Sequence, residues 1–169
     1  MINTNDLGIA IVDMQESFLK KIPEEEVRRL VKKQRRVLEV AAQKDIPVLV
    51  FEYDIGERTI NEISENVKAV PRNTSLQKIY ANGFEPEEIR GEVKPKDWFL
   101  EQKVKRILFS GVYATDCVAD TGLGARNAGF DILFSRALVN QNEVPFGGFE
   151  TYFSFLGFQI ISYKQLIRY

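Results

Sequence analysis

Cys117 is the only cysteine of the chain, and it sits in the run GVYATDCVADT (Gly111–Thr121) of a protein that has no histidine. A cysteine thiolate is a strong nucleophile near neutral pH and forms covalent acyl intermediates readily. The thiol must first lose its proton, and the imidazole that commonly takes it is missing from the whole sequence. Cys-His dyads, Ser-His-Asp triads and histidine-bearing zinc sites are thereby excluded. A carboxylate and an ammonium group can share the imidazole's work. Asp13, directly after the apolar run LGIAIV, is placed to accept the thiol proton as a general base and to return it to a leaving amine as a general acid. Lys78, in the run SLQKIY, is placed to favour the thiolate, and the start of a helix after Cys117 adds partial positive charge. On these terms the thiol pKa is expected below its ordinary value of about 8.5. Asp13 is expected to be partly desolvated with a raised pKa, because a carboxylate with a pKa of about 4 in water is a poor base for a thiol.

Taken singly, each residue has a plainer reading. An acid after a strand is commonly a turn residue or a helix cap, a lone cysteine beside valine and alanine a small buried hydrophobe, and a lysine a solvated surface group. The three carry chemistry only if the fold brings them together.

The elements that would do so follow from hydrophobic patterning. Leu7–Val12 (LGIAIV) is a nearly continuous apolar run, the pattern of a strand covered on both faces. After Ile22-Pro23, apolar residues recur at helical spacing from Val27 to Ala42, with acids in the first turn and a lysine near the end. Ile46–Tyr53 (IPVLVFEY) reads as a second buried strand, a short helix is expected over 61–67, and Ser75–Tyr80 as a third strand. Pro86 opens an expected helix through about Lys103 that Pro95 kinks or divides. KRILFSG is the fourth strand, 115–128 a helix dense in small residues that Gly129 ends, and FDILFS the fifth strand. A helix over 149–156 and a last strand, FQIISY, complete the chain. Strands alternating with helices imply an α/β sandwich of three layers, a parallel sheet between two helical ones. Ligands of such sheets bind beyond the carboxyl ends of the strands, where Asp13, Lys78 and Cys117 all fall.

Composition bounds the partners. The 169 residues, 44% hydrophobic and 28% charged, suit one soluble domain spanning 1–169. A formal charge of −1 gives no basic field for nucleic acid, and the short N-terminal apolar run reads neither as a signal peptide nor as a membrane span. One cysteine allows no internal disulfide, which is compatible with a cytoplasmic protein.

The stretches IAIVDMQESF, QKIYANGF and ILFSGVYATDCVADTGLGARNAGFDI resemble the isochorismatase-like cysteine hydrolases, a family that includes nicotinamidases and N-carbamoylsarcosine amidases. The resemblance runs from about Leu7 to about Ala137, with the three motifs in order. It implies an Asp-Lys-Cys triad at Asp13, Lys78 and Cys117, and a six-stranded parallel sheet in the order 3-2-1-4-5-6. It further implies a non-proline cis peptide at Val112-Tyr113, with the backbone N–H groups of Tyr113 and Cys117 as an oxyanion hole. Gln15 and Phe18 fall where the family shapes its substrate pocket, and Tyr53, Asp54 and Tyr80 are added by position alone. Metal-dependent nicotinamidases carry an Asp and two His after the second strand, where this chain has FEYDIGERT. No metal and no cofactor are therefore expected. The implied activity is hydrolysis of a small amide or carbamoyl compound through a thioester-type acyl-enzyme. The alternatives are an inactive binding or scaffold protein on the same fold and an isochorismatase-type vinyl ether hydrolase. Many relatives assemble, so a homo-oligomer is expected, and the aromatic run VPFGGFETYFSFLGF suits either an interface or a core helix.

Overall fold

Leu7–Val12 forms strand β1, buried at every position, in a computed structural model that describes residues 4–85, 87, 89–141 and 147–167. A short helix, α1 (Glu16–Leu19), and a long one, α2 (Glu24–Lys44), lead to β2 (Val48–Tyr53). Helix α3 (Asn61–Lys68), β3 (Asn73–Lys78), β4 (Ile89–Arg90) and α4 (Pro95–Glu101) precede the second central strand, β5 (Arg106–Gly111). An irregular turn over Ala114–Val118 runs into α5 (Ala119–Asn127), followed by β6 (Asp131–Val139), α6 (Gly148–Phe155), β7 (Gln159–Ile160) and α7 (Tyr163–Ile167).

The strands form one sheet in the order β4-β3-β2-β1-β5-β6-β7. All neighbours are parallel except β4 on β3. The parallel strands thus keep the expected 3-2-1-4-5-6 order, and β1 lies against β5 from Leu7↔Arg106 to Val12↔Gly111. Successive strand residues point to opposite faces. Ile9, Ile11, Val48 and Val50 join Leu30, Leu38 and Ile63 in one core, while Ala10, Leu49, Phe51 and Phe109 join Phe99, Ala125 and Phe153 in the other. This is the expected sandwich of three layers.

The differences lie at the edges. The sheet has seven strands because Ile89–Arg90 pairs antiparallel with Gln77 and Lys78, inside the stretch expected as helix from Pro86, which lies outside the described residues, to about Lys103 with a kink or division at Pro95. Gly91, at φ 109, turns the chain out of β4. Helix α4 begins only at Pro95, where the missing N–H has no intrahelical partner to lose. The third strand ends at Lys78, so Tyr80 lies beyond it. The expected last strand shrinks to Gln159–Ile160, and Tyr163 opens α7. In the C-terminal aromatic run, Phe149, Phe153 and Phe158 are core residues, while Phe155 is 89% exposed. Val144, Pro145 and Phe146 of that run lie outside the described residues.

The small residues of α5 answer to close packing. A Cβ on Gly122 would meet the Phe158 ring at 2.7 Å, and one on Gly124 would meet Asn82 Oδ1 at 2.2 Å. Thr121 Oγ1 ties the same face to the segment after β3, donating to Ala81 O at 2.9 Å and accepting Gly83 N–H at 3.1 Å. These contacts fix the loop that follows Lys78.

Candidate active site

Asp13 follows β1 in the left-handed backbone region at φ 53, a conformation that Asp tolerates better than most side chains. Its N–H reaches Phe51 O at 2.9 Å, and its carbonyl accepts Gln15 N–H at 2.8 Å. The tight turn aims the carboxylate back over the sheet. No side chain caps α1, so the helix-cap reading of Asp13 fails. The residue is 1% exposed, and its Oδ2 accepts from Lys78 Nζ at 2.8 Å.

Lys78, the last residue of β3, is completely buried, which removes the reading of a solvated surface lysine. Its ammonium also donates to Tyr80 O at 3.1 Å and lies 4.8 Å from the centre of the Tyr53 ring. A buried ion pair must be well hydrogen-bonded to offset the cost of removing two charges from water. Lys78 meets that condition. Asp13 meets it by half, because Oδ1 has no hydrogen-bond partner among the described residues.

The thiol of Cys117 completes the group. It is half-buried in the irregular turn after β5, where Asp116 departs from helical geometry at φ −114, ψ −107 and Val118 N–H reaches back to Tyr113 O at 3.1 Å. Regular α-helix begins only at Ala119, which corrects the expected helix over 115–128. The Val112–Tyr113 peptide bond is cis. Gly111 precedes it at φ 134, and a Cβ there would come within 2.0 Å of Val12 O. Only glycine lets β5 approach β1 at this point.

The electrostatics carry one correction. Burial raises the Asp13 pKa, with Lys78 opposing, as the desolvated base requires. The thiol pKa, expected below its ordinary value, is instead pushed up to about 12, by burial first and by the Asp13 charge second, with Lys78 opposing. With a pKa this high the thiol keeps its proton at neutral pH. Part of this elevation is the Asp13 charge itself, so moving the proton to Asp13 removes that part and leaves Lys78 facing a thiolate.

The residues expected to line the pocket divide. Phe18 stands edge-on to both Tyr53 and Tyr113, with ring centres 6.0 Å apart in each case, and Tyr113 Oη donates to Phe18 O at 2.8 Å. These rings form a wall beside the acid and the ammonium. Gln15 is completely buried and offers a ligand nothing. Its Nε2 donates to Tyr53 O at 2.8 Å and Glu57 O at 3.0 Å, while its Oε1 accepts Tyr53 N–H at 2.8 Å. It is a clamp between the ends of β1 and β2. The Tyr80 side chain is 60% exposed, and only its carbonyl reaches the group. In FEYDIGERT, Asp54 pairs with Arg90 of the added strand, and Glu52 binds Arg58 at 2.8 Å and Thr59 N–H at 2.7 Å. Among the described residues no cluster of three or more His, Cys, Asp or Glu is built to hold a metal ion. Sequence reasoning missed Asp120, which lies within electrostatic reach of Lys78, and Tyr152, whose hydroxyl donates to Thr115 O at 3.3 Å. Asp120, three residues after Cys117, was open to detection by spacing, whereas Tyr152 arrives only through the packing of α6.

The arrangement can be compared with known proteins. No curated protein matches the sequence. Among solved structures, the MAR1 ribonuclease of Caenorhabditis elegans superposes with a TM-score of 0.80 at 19% identity, covering 98% of this chain and 81% of that one. N-carbamoylsarcosine amidase from Thermoplasma acidophilum gives 0.75 at 18% identity, covering 94% and 96%. The nicotinamidase SaPncA of Staphylococcus aureus gives 0.74 at 16% identity, covering 92% and 98%. At these identities the likeness is one of fold. The sequence itself matches the isochorismatase domain over residues 8–136, which takes in β1 through most of β6 with Asp13, Lys78 and Cys117, and the chain belongs to the isochorismatase family.

Proposed function

We propose that the protein is a cysteine-dependent hydrolase of small amide or carbamoyl compounds, acting through a thioester-type acyl-enzyme. The observation that carries this reading is the buried Asp13–Lys78 ion pair, with one carboxylate oxygen unpartnered, beside the half-buried thiol of Cys117. The amidase and nicotinamidase among the structures of like fold support the choice of bond.

The Cys117 S–H proton passes to Asp13 as sulfur attacks the carbonyl carbon, and the backbone N–H groups of Tyr113 and Cys117 receive the oxyanion. The C–N bond breaks as Asp13 returns the proton to nitrogen, so ammonia or an amine leaves and a thioester remains. Water then gives a proton to Asp13 as its oxygen attacks the thioester carbon. The C–S bond breaks, the acid departs, and the sulfur takes the proton back. Lys78 holds the negative charge that alternates between Asp13 and sulfur, and the aromatic wall keeps bulk water from the carboxylate.

Ammonia release from a panel of small primary amides and carbamoyl compounds tests the reading, together with mass spectrometry of the quenched enzyme. Turnover is expected to fall at least about a thousandfold in Cys117→Ala, with an acyl adduct on the wild-type chain alone. Turnover that survives in Cys117→Ala overturns the mechanism.

A further inference from the structure

Lys78 is held from two sides, and one of them leads back to the helix that follows the nucleophile. The ammonium donates to Asp13 Oδ2 at 2.8 Å and to Tyr80 O at 3.1 Å. Tyr80 opens the segment 80–84 (YANGF), which closes over the lysine: a Cβ on Gly83 would meet the Phe51 ring at 2.3 Å and Lys78 Cδ at 3.3 Å. The other side of this segment rests on α5. Thr121 Oγ1 donates to Ala81 O at 2.9 Å and accepts Gly83 N–H at 3.1 Å, and Gly124 leaves room for Asn82, whose Oδ1 accepts Phe84 N–H at 3.0 Å. Thr121 therefore grips the neighbour of the carbonyl that binds the ammonium and the glycine packed on the lysine's stem. It is completely buried, four residues after Cys117, and its hydroxyl gives both its donor and an acceptor to this one segment. Packing alone would be served as well by valine, which has the same shape and no hydroxyl.

We propose that Thr121 is a positioning residue: its hydroxyl, through Ala81 and Gly83, fixes the Lys78 ammonium in its place beside Asp13 and the Cys117 thiol. Without that hydroxyl two buried backbone groups lose their partner, and the Tyr80 carbonyl is free to turn away. The ammonium then keeps Asp13 as its one fixed acceptor and serves the sulfur less well. The charged groups that act on the thiol are Asp13, from the turn after β1, and Lys78, from the end of β3, and of the two only Lys78 favours the thiolate. The assignment rests on the amide hydrolase reading above for its effect on turnover, and the reactivity of the thiol reads it with no substrate present.

Because Cys117 is the only cysteine, its alkylation by iodoacetamide reports on this one site. Between pH of about 7 and about 10 the reaction is expected to run about tenfold slower in Thr121→Val than in the wild type, and within about twofold of it in Thr121→Ser, which restores the hydroxyl. Thr121→Ala, which brings no methyl against the two backbone groups, is the second variant and should be slowed as Thr121→Val is. A turn that was merely loosened would expose the thiol and react faster, so a purely structural role predicts the opposite sign. On a Lys78→Met background the same substitutions should leave the rate unchanged, since the threonine acts through the ammonium. Rates in Thr121→Val and Thr121→Ala at or above that of the wild type, a slowing that Thr121→Ser shares in full, or one that persists without Lys78, overturn the proposal. Turnover of the amide panel separates this from the reading it rests on. No turnover by the wild type, with the alkylation rates divided as expected, sinks amide hydrolysis and upholds Thr121. Turnover with alkylation rates that the threonine does not move sinks Thr121 and leaves the hydrolase standing.

Discussion

Asp13 and Cys117 perturb each other, and this gives the substitutions opposite signs. Replacing Asp13 by Asn removes a negative charge beside the thiol, so the thiol pKa should drop from about 12, whereas Lys78→Met should raise it further. Thiolate absorbance followed across the alkaline range checks this, and a shift in the same direction for both variants would refute the arrangement. Each single variant leaves an unpaired buried charge or dipole, with an expected stability loss of about 3–5 kcal/mol for Asp13→Asn. The thiol is also linked to stability. Its folded pKa lies above the unfolded value of 9.0, so the folded state holds the proton more tightly and stability is lost as pH rises from about 9 to about 12. Between pH of about 8 and about 10 the wild type should lose on the order of 1 kcal/mol more than Cys117→Ala in urea unfolding. Residue types and strand ends were enough to single out Asp13, Lys78 and Cys117 as residues that meet in the fold. The direction of the thiol shift was not legible, because it depends on how deeply the turn is buried and on which charge lies nearer, and only packing decides either.

Two elements hold these residues in register, and each rests on one side chain or on the lack of one. Gly111 lets β5 touch β1 where the left-handed Asp13 leaves the sheet. Gly111→Ala would set a methyl 2.0 Å from Val12 O at a φ of 134, and a loss of at least about 3 kcal/mol is expected by urea denaturation. Gly56→Ala, with nothing within 4 Å and a φ of 77, is the control and should cost about 1 kcal/mol. Gln15 does the corresponding work between β1 and β2, and truncating it strands three backbone partners on the half-buried Tyr53 and Glu57. The continuous apolar runs announced β1, β2 and β5, and the helical periodicity announced α2. Strand β4 was invisible because two residues show no period, and a proline-flanked charged stretch reads as well for a helix as for an edge. The break at Asp116 was invisible for another reason: TDCVADTGL has the composition of a helix, and tertiary contacts override it.

Charge at the scale of the whole molecule is nearly balanced, with a formal net of −1. A surface groove of about 1010 Å³ runs along α2 among Arg28, Arg29, Lys32, Lys33, Arg35 and Arg36, and touches none of the candidate catalytic residues. Arg28, Arg29 and Arg36 pair with acids of their own helix, so much of this face is a solvated one. The candidate group hangs from the middle of the sheet, with Asp13 after β1, Lys78 ending β3 and Cys117 after β5, while β4 and β7 pair through two residues each at the edges. Strands buried on both faces open only with the global transition, and short edges open locally at lower free energy. Native-state hydrogen exchange should therefore show the slowest amides in Ile9–Val12, Val50–Phe51 and Leu108–Phe109, with β4 and β7 exchanging early. Cys117 should become reactive to a bulky thiol reagent in the same denaturant range as the central strands lose protection. Release of the thiol along with the edge strands, well before β1 and β5 open, would mean that the site is held by its loops and not by the sheet.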